Sequence, residues 1–189
     1  KQKPRPCVFE YIYFARPDSI INNKCAYEYR KKLGVQLAKE TDVQADFVVP
    51  VPDSGVPAAL GYAEQSNKKF EFGLIRNHYV GRTFIEPTNN IRSLGVKLKL
   101  SSTKSIVKNK SIILIDDSLV RGTTCYKIVK MLYESGAKEV HVRIACPQIK
   151  SPDFYGVDMP TKEELLAHKR TNLEMCKHIN ATSLKFLSL

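Results

Sequence analysis

Four aliphatic residues, Ile112, Ile113, Leu114 and Ile115, run without interruption into Asp116 and Asp117. A run apolar at every position fits a strand covered on both faces, as in a parallel sheet flanked by helices. On this basis strands are predicted at "ADFVVPVP" (45–52), "FEFGLIRN" (70–77), "SIILIDD" (111–117) and "VHVRIAC" (140–146). Between them the apolar spacing turns helical. In "AYEYRKKLGVQLAKE" (26–40), Tyr29, Leu33, Leu37 and Ala38 share one face and charged residues cover the other, as on an amphipathic surface helix. "DSGVPAALGYAEQS" (53–66) reads as a turn feeding a helix, with Pro57 in the first turn, where its missing N–H does no harm. In "TTCYKIVKMLYESGA" (123–137), Ile128, Met131 and Leu132 keep helical spacing, Thr123 or Thr124 caps the start and Gly136 ends it.

Strands alternating with helices predict an α/β fold with a parallel sheet. In open sheets of that kind ligands bind at the carboxyl ends of the strands. Asp116 and Asp117 stand at such an end. Two segments fall outside the alternation. Residues 1–23 look irregular, with "EYIYF" (10–14) as a short strand. Residues 77–104 are long, polar and basic, holding Arg82, Arg92, Lys97, Lys99 and Lys104 against Glu86 alone. A stretch that long without its own elements is functional or disordered in a compact domain.

A length of 189 residues suits one domain with an ordinary core. The net charge of +11 suits an anionic partner such as nucleic acid, acidic lipid or a small polyphosphate; a basic, uninvolved surface is the plain alternative. Five scattered cysteines with no C-x-x-C pair argue against a disulfide framework and a zinc site, and for free thiols in a reducing cytoplasm. No apolar run approaches the roughly 20 residues that span a bilayer. The start lacks a signal-peptide layout and an initiator methionine, so a piece of a longer protein is expected. No zinc finger, RNP-type aromatic motif or helix-turn-helix is present to dock on nucleic acid.

The loop "SLVRGTT" enters a helix, and helix-start amides with the dipole behind them form an anion site. Gly122 permits close approach or positive φ, while Ser118, Thr123 and Thr124 add hydroxyls. A phosphate monoester fits. The aspartates would repel it, so they face another part of the ligand: a vicinal diol, or a divalent ion such as Mg²⁺. A 5-phosphoribosyl group satisfies both demands. A bare Asp-Asp pair in solvent would mean nothing; the apolar run before it and the G-T-T helix entry after it make the pattern specific.

"IILIDDSLVRGTT" resembles the phosphoribosylpyrophosphate (PRPP) motif of type I phosphoribosyltransferases. Together "EYIYFARPDS", "PVPDSGVPAALGYA", "IRNHYVGRTFIEP", "ESGAKEVHVRIACP" and "FYGVDMPTKEELLA" make the chain, from Cys7 to His168, similar to the phosphoribosyltransferase half of the glutamine PRPP amidotransferase family. The resemblance implies a type I phosphoribosyltransferase fold over residues 1–189 with a long flexible active-site loop. It implies transfer of PRPP to ammonia, giving 5-phosphoribosylamine and pyrophosphate in the first committed step of purine synthesis. The family's glutaminase domain has no counterpart here, and the end of the chain looks truncated.

Residue by residue, the resemblance implies that Asp116 and Asp117 hold the ribose hydroxyls and, with Ser54, the Mg²⁺ environment. Ser118, Arg121, Gly122, Thr123 and Thr124 would bind the 5-phosphate. Asp53, Ser54 and Gly55 would meet pyrophosphate, with Arg76, Tyr79 and Arg82 on the closing loop. Lys97 and Lys99 are pyrophosphate ligands or a solvated basic face. Further implications are purine nucleotides as feedback inhibitors, a homo-oligomer, a cytoplasmic location, and no nucleic acid or membrane partner. Cys7 matches one iron–sulfur ligand of the family, but Asp153 stands where a second would be, so the chain resembles the cluster-free branch. A non-catalytic PRPP- or nucleotide-binding module of the same fold is the alternative, and a nucleobase transferase a third reading.

Overall fold

The computed structural model describes residues 7–77, 100–152 and 161–188. Helices α1 (Ala26–Thr41), α2 (Val56–Ser66), α3 (Lys104–Val107), α4 (Thr123–Glu134) and α5 (Asn172–His178) alternate with short strands. The central sheet contains β3 (Phe47–Pro50), β4 (Lys69–Phe70), β7 (Ser111–Asp116), β8 (Glu139–Ile144) and β9 (Ser183–Phe186), in the order β4-β3-β7-β8-β9. Every neighbouring pair is parallel. Two antiparallel pairs lie outside it: β1 (Ile20–Ile21) with β2 (Lys24–Cys25), and β5 (Leu74–Arg76) with β6 (Leu100–Ser102).

The unbroken run on β7 follows from its central place. Ile113 and Ile115 pack in one cluster with Leu37, Ala58 and Tyr62 of α1 and α2. Ile112 and Leu114 pack in the other with Ile128, Val129 and Leu132 of α4. All four β7 residues are fully buried, each contributing about 1.5–3 kcal/mol by transfer from water. The β7 strand therefore delivers its final residue, Asp116, to a fixed point at the sheet's carboxyl edge.

Two expectations need correction. "EYIYF" is a π-helical turn, Glu10–Phe14, closed by Ala15 N–H donating to the Glu10 carbonyl at 3.0 Å. Its buried residues are Tyr11 and Ile12 with Phe9 before them, a helical rather than an alternating pattern. "FEFGLIRN" divides into β4, in the main sheet, and β5, outside it. The chain turns at Gly73, whose N–H bonds the Glu71 carbonyl at 2.9 Å while the residue packs on Val49. The segment after Ala167 forms α5 and β9, and β9 completes the sheet beside β8. A capping box joins Thr171 and Glu174 at the start of α5, a signal readable in "TNLE".

Candidate functional site

Asp116 ends β7, and its carboxylate accepts the Asp117 N–H at 2.9 Å. Asp117 is only 7 % exposed. Ser118 donates its hydroxyl to the Asp117 carboxylate, and the Ser54 hydroxyl lies within reach of it as well. Burial pushes the Asp116 carboxyl well above the usual carboxylate range, and the neighbouring Asp117 charge adds to the shift. Burial raises the Asp117 carboxyl too, against the lowering effect of Ser118, Ser54 and the Arg30 cation. Two adjacent carboxylates, Asp117 buried and Asp116 half-buried, favour whatever brings hydroxyl donors or positive charge to them.

The chain then enters α4 through Gly122, which adopts φ +81°. Neither threonine caps the helix: Thr123 and Thr124 are its first residues, and among the described residues no side chain caps its start. The residues that carry its first amides, Gly122 to Cys125, border a cavity beside the entering loop, where a helix start can take an anion. The loop is braced from behind. Leu166 N–H donates to the Val120 carbonyl at 2.8 Å, and Arg121 pairs with Glu164 at 2.6 Å. Ser54, Asp116, Asp117, Ser118, Arg121, Gly122, Thr123 and Thr124 line one cavity of about 480 Å³.

A second cavity of about 330 Å³ adjoins it and is lined by Asp53, Ser54, Arg30 and Arg76. Ser54 and Tyr13 border both. Gly55 makes this proximity possible: a Cβ there would sit 2.6 Å from the Ile115 carbonyl, so only glycine lets the 52–55 turn lie against the end of β7. Asp53 forms an ion pair with Arg76. The two cavities, sharing Ser54 and Tyr13, thus bring a helix-entry loop, a carboxylate pair and a charged turn together. Among the described residues no group of three or more His, Cys, Asp or Glu side chains converges, so no all-protein metal cage exists there.

Most of the residues singled out by sequence come together around these cavities. Tyr79, Arg82, Lys97 and Lys99 lie outside the described residues. Sequence reasoning missed Arg30, Phe9, Tyr13 and Phe14, which border the cavities. Arg30 was counted with the solvated face of α1, yet it is 5 % exposed. It belongs to the buried stripe Ala26, Arg30, Gly34, Leu37, Ala38, Thr41, and its position four residues after Ala26 and four before Gly34 was the available signal.

The sequence profile of the family described as phosphoribosyl transferase domain matches residues 22–165. The chain belongs to the phosphoribosyl transferase domain family. Within it, an amidophosphoribosyltransferase of Rhizobium etli is 57% identical over 191 residues, covering 99% of this chain and 38% of that protein. One of Methanocaldococcus jannaschii is 55% identical over 183 residues, covering 97% of this chain and 39% of that protein. The solved glutamine PRPP amidotransferase from B. subtilis, complexed with ADP and GMP, superposes with a TM-score of 0.88 at 50% identity. That match covers 96% of this chain and 40% of that one. The phosphoribosyl transferase chain therefore spans well under half the length of these relatives. Its α/β architecture is the type I phosphoribosyltransferase fold. No helix among the described residues is long and apolar enough to cross a membrane.

Proposed function

We propose that this chain is the phosphoribosyl-transferring part of an amidophosphoribosyltransferase, converting PRPP and ammonia to 5-phosphoribosylamine and pyrophosphate. The observation that carries the reading is that the uncapped start of α4, the paired aspartates and the Asp53–Ser54 turn line two adjoining cavities. Relatives sharing half or more of its residues over nearly its whole length bear that enzyme's name. The amides of Gly122 to Cys125, with the Thr123 and Thr124 hydroxyls, hold the 5-phosphate. Asp116 and Asp117 accept the ribose hydroxyls and favour the positive charge that develops on the sugar as its C1–O bond to pyrophosphate breaks. The ammonia lone pair forms the new C–N bond on the opposite face. Arg76, with Tyr79 and Arg82 carried over by sequence, favours the departing pyrophosphate.

The donor set fits Mg²⁺ shared with substrate, because that ion is usually bound through one or two carboxylates plus phosphate oxygens. Asp116, Asp117 and Ser54 would hold it, and it would supply neutralisation of the pyrophosphate charge. The greater length of the relatives supports a glutaminase domain, fused to this chain or carried separately, as the ammonia source, with residues 1–189 as the transferase domain. The ADP and GMP bound to the B. subtilis protein support purine nucleotides as regulators here, and we place the protein in the cytoplasm as a homo-oligomer. The decisive assay supplies PRPP, Mg²⁺ and ammonium and measures pyrophosphate. Ammonium-dependent release is expected. Tight PRPP binding without release would instead identify a regulatory module, and release dependent on a nucleobase would identify another transferase.

A further inference from the structure

We propose that Arg30 is a positioning residue of the transfer site, holding the aromatic wall of its phosphate-side cavity through the main-chain carbonyls of Tyr11 and Ala15. The inference rests on the proposed transfer reaction for what the site does, and on geometry for what Arg30 does. The guanidinium donates from Nε to the Tyr11 carbonyl at 2.8 Å and from Nη2 to the Ala15 carbonyl at 2.7 Å. These two carbonyls bracket the end of the Glu10–Phe14 turn, where helical carbonyls lack partners within their own helix. Between them lie Tyr13 and Phe14, both of which border the phosphate-side cavity. Tyr13 also borders the second cavity. A single planar fork thus sets where this aromatic wall stands.

The other side of the guanidinium faces the site. Arg30, Ser54 and Asp117 share a void of about 10 Å³, room for one water at most. A cation enclosed there loses hydration, and burial does act against its charge while Asp117 supports it. The charge itself seldom adds net stability when buried, but an apolar residue of similar volume would leave the Tyr11 and Ala15 carbonyls without their donor. Lysine would keep the charge but lose the two-pronged geometry. The arrangement therefore serves placement: one rigid group both fixes the wall and borders Asp117. Arg30 also touches the edge of the second cavity, so direct contact with the leaving group is the rival role the experiment must separate.

The test compares Arg30→Gln and Arg30→Lys with the unsubstituted full chain. Hydrogen exchange reports the tie and ammonium-dependent pyrophosphate release reports its consequence. Exchange at residues 10–15 is expected to speed at least about tenfold in Arg30→Gln, with the β7 and β8 amides unchanged. Misplacement by about 1 Å typically lowers turnover about a hundredfold, so kcat per folded molecule should fall by roughly 10–100-fold. KM for PRPP should stay within about threefold, and Arg30→Lys should fall between. Unchanged exchange in both variants overturns the proposal. So does unchanged kcat, which leaves Arg30 a purely structural group, and so does a large rise in KM at constant kcat, which makes it a direct ligand. If Arg30→Gln does not fold, Arg30→Lys carries both readouts. If the unsubstituted chain releases no pyrophosphate, the functional reading fails, and the exchange result alone decides whether Arg30 holds the wall.

Discussion

Replacing Asp117 with asparagine removes one charge from the carboxylate pair and almost no volume. Opposing effects on stability can be set against each other. The carboxylate accepts from Ser118, lies within reach of Ser54 and feels the Arg30 charge, and a hydrogen bond to a charged group contributes about 1.5–3 kcal/mol. Against that loss, a neutral amide relieves the burial that raises the Asp117 carboxyl and the repulsion between it and Asp116. The net change should lie within about 1 kcal/mol, or about 2–4 °C in Tm for a domain of this size. Turnover has no such compensation. The carboxylate would face the positive charge developing on the sugar, and loss of one preorganised contact of this kind typically costs about 3 kcal/mol. That corresponds to a fall of at least about a hundredfold in kcat. The assay pairs ammonium-dependent pyrophosphate release with thermal unfolding of the same sample. Specific activity within about threefold of the unsubstituted chain, or a collapse in Tm with activity intact in the folded fraction, would refute the reasoning.

Other substitutions probe the frame of the site. Gly122→Ala places a Cβ at φ +81°, 2.8 Å from the Leu166 side chain. A left-handed non-glycine residue costs about 1–2 kcal/mol, so Tm should fall by at least about 2 °C and the PRPP Kd measured by calorimetry should rise. Unchanged binding would remove Gly122 from the phosphate loop. A separate prediction concerns pH. Burial holds the His141 imidazole below its ordinary value of 6.5. The unfolded ring therefore takes up its proton first as pH falls, so the stability His141 contributes is present above about pH 6.5 and is lost below it. His141→Gln should flatten the fall in Tm between about pH 7.5 and 5.5, and an equal slope in both proteins would contradict the assignment.

The parts of the molecule legible in sequence are those whose physics is local. "IILI" signals a strand covered twice because no solvent-facing position interrupts it, and the structure buries all four residues. Gly136 ends α4 at φ +94°, as expected of a glycine that closes a helix. The parts that were hidden depend on contacts across long sequence separations. Nothing in "YEYRKK" reveals that Arg30 will bond carbonyls at Tyr11 and Ala15, so its charge was taken for a surface charge. "EYIYF" has strand-favouring residues but turns helical, because Tyr11 and Ile12 must both bury and Arg30 satisfies the freed carbonyls. Thr123 and Thr124 looked like caps, yet the positive φ of Gly122 puts both inside the helix and leaves its first amides uncapped. The β9 strand escaped notice because "SLKF" is short and mixed, and it gains its place from pairing with β8.

The central claim is that a ribose phosphate lies against the paired aspartates with its 5-phosphate on the α4 amides. A crystal structure of the chain with PRPP and Mg²⁺ tests it most directly. Density for the ribose within hydrogen-bond distance of Asp116 and Asp117, with phosphate oxygens on the amides of Gly122 to Cys125, is the predicted result. PRPP density elsewhere on the molecule, with both cavities holding only water, would contradict it.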